Sequence, residues 1–267
     1  MDHLDELENK TIYIVREAYF QFKKIGLLWS IGKDSTTLLW LCRKAFLGKV
    51  PFPVIHIDTS YKFKDIYAFR DKYAREWGLD LRVARNEEEL AKGMGPNQKD
   101  KLSCCNELKT NALKKHMKKV NYEALLLAIR RDEHGIRAKE RVFSPRDEKF
   151  AWDYKNQPAE LWNQFNQPAD DDTHVRVHPM LHWTELDIWE YVKRENIPFT
   201  GLYLAKNGKR FRSIGCETCC APVDSEAVDI DAIIAELKTT KTRERAGRAQ
   251  DKENAYTMQK LRALGYM

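Results

Sequence analysis

The chain has 267 residues, 43% of them hydrophobic, which is enough apolar material for the core of one large domain. Lys and Arg exceed Asp and Glu by 46 to 40, and this modest excess suits small anionic ligands and also permits a nucleic-acid partner. No run reaches the roughly 18 consecutive apolar residues that a membrane span needs, and the acidic first residues lack the order of a secretory signal, so we expect a cytoplasmic protein with no membrane partner.

Apolar periodicity in the first half alternates between helix and strand. Residues 4–22 have helical spacing, and short apolar runs that predict buried strands follow at residues 25–29, 53–57, 79–84 and 123–129. Helical patterns separate the first three of these runs, over residues 38–42 and 64–77. The alternation predicts an α/β fold with a mostly parallel, open sheet and helices on both faces.

The second half of the chain changes character. Residues 144–174 are polar and contain three prolines, which indicates a long surface excursion. Thr184 opens a capping-box-like sequence before a helix, another helix is expected near residues 230–237, and the tail from Lys238 is rich in Lys, Arg and Glu. These features predict a mixed helical C-terminal region.

The loop Ser30-Ile31-Gly32-Lys33-Asp34-Ser35 lies between the first predicted strand and an apolar helix. Such a loop points free backbone N–H groups at whatever lies above it, and the helix dipole favours an anion there. Lys33 can neutralise phosphate charge, and the serine hydroxyls can donate hydrogen bonds. Because Ser30, Asp58 and Arg130 each follow a predicted strand, we expect one shared site at the carboxyl edge of the sheet.

This loop resembles the PP-loop of the ATP pyrophosphatase superfamily, which has an adenine nucleotide alpha hydrolase-like fold and cleaves ATP between the α and β phosphates. The resemblance implies ATP and Mg²⁺ as ligands and an adenylyl transfer that releases pyrophosphate. It implies a nucleotide site formed by Ser30, Gly32, Lys33, Asp34, Ser35, Thr36 and Asp58. We therefore divide the chain into a PP-loop nucleotide-binding α/β domain at residues 1–200 and a cysteine loop with a basic tail at residues 201–267, packed on the same domain.

Further motifs resemble the small, catalytic subunit of bacterial sulfate adenylyltransferase. They are His56-Ile57-Asp58-Thr59, Arg130-Arg131-Asp132-Glu133, Arg137-Ala138-Lys139-Glu140-Arg141, Trp183-Thr184-Glu185-Leu186-Asp187 and Arg243-Glu244-Arg245-Ala246-Gly247-Arg248. The resemblance implies catalytic roles for Lys33, Asp34, Arg130, Arg131, Arg137 and Arg141, with the arginines holding an oxyanion acceptor. The alternative for these arginines is ion pairing with nearby acidic residues on a solvated helix. The cluster at residues 243–248 fits a tail that closes over the nucleotide about as well as it fits a plain charged surface.

Five of the six cysteines are grouped in two places, and Cys42 alone lies in an apolar helical pattern. Cys104, Cys105, Cys216 and Cys219 resemble the four-cysteine set of adenylylsulfate reductases and of DNA phosphorothioation enzymes, which implies a [4Fe–4S] cluster. Cys220 leaves that assignment ambiguous by one position. A Zn²⁺ site and free structural thiols are the other interpretations. The adjacent residues Cys104 and Cys105 are poorly placed to bind one tetrahedral Zn²⁺ together.

Two departures from these families guide the functional prediction. The stretch from Tyr203 to Arg212 is short compared with sulfate-activating subunits, and no cysteine follows Cys220 to act as the nucleophile that adenylylsulfate reductases carry near the C-terminus. We predict an enzyme that adenylates an acceptor, such as a DNA backbone phosphate, for sulfur incorporation supported by the cluster and a cysteine desulfurase. The alternatives are a sulfate adenylyltransferase small subunit with a GTPase partner and a catalytically silent nucleotide-binding subunit.

Overall fold

A computed structural model describes residues 2–97, 100–135, 137–152, 155, 157, 159–165, 174–248 and 265. Its centre is a six-stranded sheet with the strand order β3-β2-β1-β4-β6-β5. Neighbouring strands are parallel except for β5 and β6, which are antiparallel. In chain order the strands are β1 (Ile25–Leu28), β2 (Val54–Ile57), β3 (Leu81–Ala84), β4 (Ala124–Leu126), β5 (Phe143–Arg146) and β6 (His174–Val177).

Eight α-helices accompany this sheet within the described residues. They are α1 (His3–Gln21), α2 (Lys33–Ala45), α3 (Lys64–Glu76), α4 (Glu87–Ala91), α5 (Lys101–Cys105), α6 (Ala112–Val120), α7 (Glu185–Glu195) and α8 (Ile230–Thr239). Every residue of β1, β2, β4 and β6 is buried. Since alternate strand residues point to opposite faces, both faces of the sheet are covered, as in other parallel sheets. The predicted α/β class is confirmed.

The sheet extends into a region that we expected to be a surface excursion. Strand β5 lies at the start of residues 144–174 and β6 begins at their last residue, and polar side chains interrupt the apolar pattern of both strands. Ser144 and Arg146 are buried on β5, where the carboxylate of Glu140 accepts hydrogen bonds from both. Polar side chains satisfied in this way can occupy a core strand without an apolar pattern. The acidic run at residues 170–172 lies outside the described residues.

The C-terminal part adds α7, α8 and a short hairpin of β7 (Lys209–Arg210) and β8 (Val223–Asp224). Thr184 caps α7 in a capping box with Asp187, which confirms that prediction. The division into two parts at residue 200 stays a prediction, and most of the tail beyond Arg248 lies outside the described residues. Within the described part of the chain, no helix is both long and apolar enough to cross a membrane.

Candidate functional site

The loop between β1 and α2 opens into a cavity of about 150 Å³ at the carboxyl edge of the sheet. Ser30, Gly32, Lys33, Asp34 and Ser35 line this cavity, which we call the phosphate pocket. The Ser30 and Ser35 hydroxyls lie 3.0 Å apart, and the Lys33 amide donates to the Tyr203 hydroxyl at 2.8 Å. These contacts hold the first turn of α2 against the pocket, where its N-terminal dipole favours an anion.

Ile31 gives this loop an unusual backbone. Its φ of +66° lies in the left-handed region, and Ser60, just after β2, has a φ of +63°. A β-branched residue rarely adopts this conformation, which costs on the order of 1–3 kcal/mol and persists where the surrounding structure enforces it. Gly32 itself has an ordinary φ of −74°. The strained position in the loop is therefore Ile31, and the distortion marks the loop as a functional segment.

Carboxylates of the chain already neutralise the cations beneath the loop. Lys33 Nζ bonds Asp34 at 3.2 Å and also bonds Glu244, although burial alone would favour its neutral form. Burial lowers the pKa of Lys33, but Glu244 and Glu185 together outweigh burial and raise it. Arg130 is fully buried and pairs with Asp34, Asp132 and Glu244. Both cations are thus charged and fixed in position.

A second ionic group forms one side of the pocket. Glu133 pairs with Arg137 and, at 3.1 Å, with Arg245, and all three residues line the cavity. Burial opposes ionisation of Glu133, but Arg137 and Arg245 lower its pKa. Arg248 also lines the pocket, so the tail cluster that we left open between two interpretations contributes two arginines to this site.

The predicted site residues fall into two groups. Ser30, Gly32, Lys33, Asp34, Ser35 and Arg137 line the phosphate pocket. The others do not line it. Arg130 lies behind it, and Thr36 accepts a hydrogen bond from the Trp29 indole. Arg131 contacts His182 at 3.0 Å, and Arg141 is an exposed residue.

Asp58 follows β2 as predicted but does not line the pocket. Its Oδ1 accepts hydrogen bonds from the Ser60 amide and the Tyr67 hydroxyl, both at 2.8 Å. Burial raises the pKa of this carboxyl, but the two hydrogen bonds, together with nearby Arg85 and His56, outweigh burial and lower it. Asp58 therefore shapes the turn after β2 in this structure.

Several residues that line the pocket were not predicted as site residues, among them Lys62, Lys109, Tyr203 and Gly215. Lys62 comes just after β2, so its place near the carboxyl edge could have been suspected. Lys109 lies in the π-helical turn Asn106–Asn111, and no local pattern distinguishes it from the other lysines nearby. The one sequence feature that distinguishes Glu244 is that it is an acidic residue within an arginine cluster.

A second cavity adjoins the phosphate pocket, and we call it the thiol cavity. Cys104 and Cys105 reach it from the end of α5, and Cys216 and Cys219 reach it from the turn around Glu217–Cys219. Its volume is about 10 Å³, and Lys109 lines both cavities. The Thr59 hydroxyl lies 3.2 Å from Cys216 Sγ. The structure therefore brings together the four cysteines that we singled out.

The thiols in this cavity are not equivalent. The hydrogen bond from Cys219 lowers the pKa of Cys216, and nearby Lys109 and Lys62 lower it further against the effect of burial. The same hydrogen bond and burial raise the pKa of Cys219. Burial raises the pKa of Cys104 to about 11. Among the described residues, no three His, Cys, Asp or Glu side chains are arranged to hold a metal ion, so the predicted cluster stays a prediction.

Comparison with known proteins places this chain in a family. Residues 24–222 match the phosphoadenosine phosphosulfate reductase domain. Sulfate adenylyltransferase subunit 2 of Colwellia psychrerythraea is 40% identical over 296 residues, which cover 100% of this chain and 99% of that protein. The protein of the same name from Pseudomonas putida is 40% identical over 300 residues, covering 100% and 98%. Both alignments are longer than this chain, so these relatives contain segments that it lacks.

Solved structures share the fold at lower identity. The phosphoadenylyl-sulfate reductase of Candida auris has a TM-score of 0.55 at 17% identity and covers 84% of this chain and 97% of its own. The FMN adenylyltransferase of Candida glabrata has a TM-score of 0.57 at 20% identity, covering 82% and 63%. The full-length similarity and the intact loop agree: this chain is a PP-loop superfamily enzyme and belongs to the phosphoadenosine phosphosulfate reductase domain family, together with the sulfate adenylyltransferase subunit 2 proteins.

Proposed function

We propose that this chain is the ATP-cleaving subunit of a sulfate adenylyltransferase, which transfers the adenylyl group of ATP to sulfate and releases pyrophosphate. The observation that carries the proposal is the 40% identity to sulfate adenylyltransferase subunit 2 over the whole chain. This was the alternative in our sequence analysis, and it replaces our first interpretation, in which a DNA phosphate is the acceptor, because the relatives that match the whole chain are named sulfate adenylyltransferase subunit 2.

The pocket has a helix N-terminus and cationic side chains that suit this reaction. The N-terminus of α2 and the serine hydroxyls would hold the phosphates, with Lys33 beneath them. Arg137, Arg245 and Arg248 face the same cavity and would stabilise the negative charge that develops as sulfate oxygen attacks the α phosphorus and pyrophosphate leaves. Asp34 and Glu244 keep Lys33 and Arg130 in position before the nucleotide enters. Little reorganisation is then needed in the reaction.

A Mg²⁺ ion bound with ATP would offset the charge of the leaving pyrophosphate. Asp34 and Glu133 are the carboxylates that line the pocket, and each already pairs with an arginine. Mg²⁺ commonly binds through substrate phosphates, waters and one or two carboxylates. Asp34 is the residue that would complete such a shell here, since it is beside the loop that receives the phosphates.

The relatives are named as subunit 2, so we propose that this chain acts with a second subunit. Our sequence prediction assigned a GTPase to that role. Strand β7 lies in the stretch from Tyr203 to Arg212, which is short compared with sulfate-activating subunits. If the missing segment contacts the partner in relatives, this chain should bind a relative's larger subunit more weakly than the relative's own subunit does.

The test is sulfate-dependent exchange of labelled pyrophosphate into ATP. We would measure it for the purified chain alone and for the chain co-expressed with the larger subunit of the Pseudomonas putida enzyme. Exchange that requires sulfate, and that chloride does not support, is the expected result. Pyrophosphate exchange that is independent of sulfate in both preparations would reject sulfate as the acceptor while leaving adenylyl transfer in place.

The thiol cavity beside the phosphate pocket favours a second candidate function. In it, the adenylated acceptor receives sulfur from a cysteine desulfurase with the help of a [4Fe–4S] cluster. The donor chemistry fits, because the cavity has four thiols, and Lys101 and Lys109 on its wall would offset the negative charge of a thiolate-bound cluster. The enclosed volume of about 10 Å³ is that of roughly one water molecule, so the walls would have to separate to admit a cluster.

Iron and acid-labile sulfide analysis of protein purified without oxygen tests this second candidate. About four of each per chain would support it, and Cys216→Ser should then lose iron while Cys42→Ser, a replacement in α2 away from the cavity, keeps it. Iron-free protein under these conditions would reject the cluster and leave sulfate adenylyl transfer as the function.

A further inference from the structure

The segment Arg243–Arg248, which we call the C-terminal strap, packs closely on the loop that contains the second cysteine group. Cys220 and Arg248 form an isolated antiparallel bridge, and the Ala221 amide donates to the Gly247 carbonyl at 2.9 Å. A Cβ at Gly247 would lie 2.2 Å from the Ala221 carbonyl oxygen, and one at Gly215 would lie 1.9 Å from Arg248 Nη1. The backbones of the two segments therefore approach at Gly247 as closely as only glycine permits, and at Gly215 the neighbour is the end of the Arg248 side chain.

Cys220 lies at the centre of this contact. Its Sγ accepts hydrogen bonds from the Gly215 amide at 3.1 Å and from Arg248 Nη1 at 2.8 Å. It is half-buried, whereas the other five cysteines are buried. A thiol sulfur is a weak acceptor, but a charged guanidinium donor strengthens the bond.

Both donors to this sulfur belong to the phosphate pocket. Arg248 and Gly215 line the pocket, and Lys62, which lines it too, is close enough to Cys220 for electrostatic interaction. One pocket cation therefore donates a hydrogen bond to a sulfur atom outside the predicted cluster ligands. We propose that Cys220 is a positioning residue that holds Arg248 in the phosphate pocket, so that the chemical state of its thiol sets the affinity of the pocket for the ATP phosphates.

The proposal rests on the proposed function only in taking the pocket to bind ATP. Covalent modification of the sulfur provides the means of control. In thiol–disulfide exchange with a low-molecular-weight disulfide, the Cys220 sulfur bonds to one sulfur of the reagent, the reagent S–S bond breaks, and the second half leaves as a thiol with the Cys220 proton. The added group takes the space that Arg248 occupies, so the guanidinium must turn away from the pocket.

Binding of α,β-methylene-ATP, which cannot be split between the α and β phosphates, measures the effect directly by calorimetry. Cys220→Ala removes the acceptor and should weaken binding about tenfold, the typical effect of a lost hydrogen bond to a charged group. Cys220→Ser restores an acceptor and should bind within about twofold of the parent. Cys42→Ala, a buried cysteine in α2, is the matched control and should leave the affinity unchanged. Parental affinity in Cys220→Ala, or equal weakening in the Ala and Ser variants, would overturn the proposal.

Alkylation of the folded parent protein keeps the proposal testable if Cys220→Ala does not fold. Iodoacetamide should modify Cys220 before the other cysteines, as peptide mass spectrometry would show, and bound α,β-methylene-ATP should slow the reaction. The alkylated protein should bind the analogue about tenfold more weakly. Unchanged binding after complete modification of Cys220 rejects the proposal. If these binding effects are found but the parent protein shows no sulfate-dependent pyrophosphate exchange, the result counts against sulfate as the acceptor and leaves the role of Cys220 in place.

Discussion

The phosphate pocket and the thiol cavity lie side by side and share Lys109, yet their charges are arranged differently. In the phosphate pocket, Lys33 and Arg137 pair with carboxylates of the chain itself. The described lining of the thiol cavity contains Lys101 and Lys109 and no carboxylate. The first site is thus preset for exchange of one anion for another, whereas the second favours the thiolate form of Cys216 and the protonated thiols of Cys104 and Cys219. Adjacent cavities on one sheet edge can therefore serve different chemistry.

The largest expected effect comes from removing the lysine of the phosphate pocket. Lys33→Ala should lower the rate of pyrophosphate release by about 10²–10³-fold, because a fixed charge beside the developing negative charge is lost. A coupled pyrophosphate assay at saturating ATP gives the measurement. Lys49→Ala, at an exposed position after α2, is the control and should retain parental turnover. Turnover of Lys33→Ala equal to the parent would remove the loop from the mechanism.

If phosphate can replace the carboxylates that neutralise the pocket cations, loss of one carboxylate should lower the free energy of unfolding and ATP should reverse the loss. Glu244→Gln leaves buried Lys33 and Arg130 short of one carboxylate and should lower the free energy of unfolding by about 3 kcal/mol. Urea unfolding with and without α,β-methylene-ATP measures it, and the nucleotide should recover more stability in the variant than in the parent because its phosphates supply the missing charge.

The matched control for that experiment is Glu148→Gln, at an exposed position. It should behave as the parent does in both conditions. A Glu244→Gln protein that is destabilised equally with and without the nucleotide would contradict the exchange of Glu244 for phosphate as the counter-ion of these cations.

Buried histidines should make the protein sensitive to moderate acid. Burial, with Lys62 adding to it, lowers the pKa of His56 to about 3, and burial lowers the pKa of His174 to about 2. The unfolded chain takes up these protons near pH 6.5 while the folded chain does not, so each histidine lowers folding stability by about 1.4 kcal/mol per pH unit below that point. These histidines therefore do not reduce the free energy of unfolding above about pH 6.5, and they reduce it increasingly as the pH drops towards their pKa values in the folded protein.

His56→Gln tests this directly, because it removes one buried group that can titrate. In the parent, His56 Nδ1 contacts the Trp29 carbonyl at 2.9 Å, just before the loop. Urea unfolding across about pH 7 to pH 5 should show a slope that is smaller by about 1.4 kcal/mol per pH unit than in the parent. Lys49→Gln, an exposed substitution that removes no histidine, is the control and should keep the parental slope. An unchanged slope in His56→Gln would show that His56 gains its proton in the folded protein.

The smallest expected effect separates neighbouring arginines. Arg131 contacts His182 away from the pocket, so Arg131→Ala should change kcat/KM for ATP by no more than about twofold. Arg137 lines the pocket and holds Glu133, and Arg137→Ala should lower kcat/KM by about tenfold or more. Steady-state kinetics on both variants gives the comparison. Equal losses would restore our sequence-based assignment of Arg131 to catalysis.

Local sequence determined the parts of this protein that depend on neighbours along the chain. The loop Ser30 to Ser35 could be recognised because strand, turn and helix N-terminus follow one another within a few residues, and backbone geometry alone then creates the anion site. The apolar runs of β1, β2 and β4 were visible because central parallel strands are buried on both faces. The capping box of α7 was readable for the same local reason.

Only the tertiary structure decided which charges meet. Glu244 pairs with Lys33 across 211 positions of sequence, and Arg248 reaches the pocket through contacts with Gly215 and Cys220. Strand β5 was not predicted because Glu140 satisfies its buried polar side chains, and β6 was not predicted because His174 and Arg176 alternate with its valines. Ion pairs and buried polar contacts depend on distance in space and carry no periodic signal. The sequence therefore determined the anion-binding loop, and the fold decided which residues surround it.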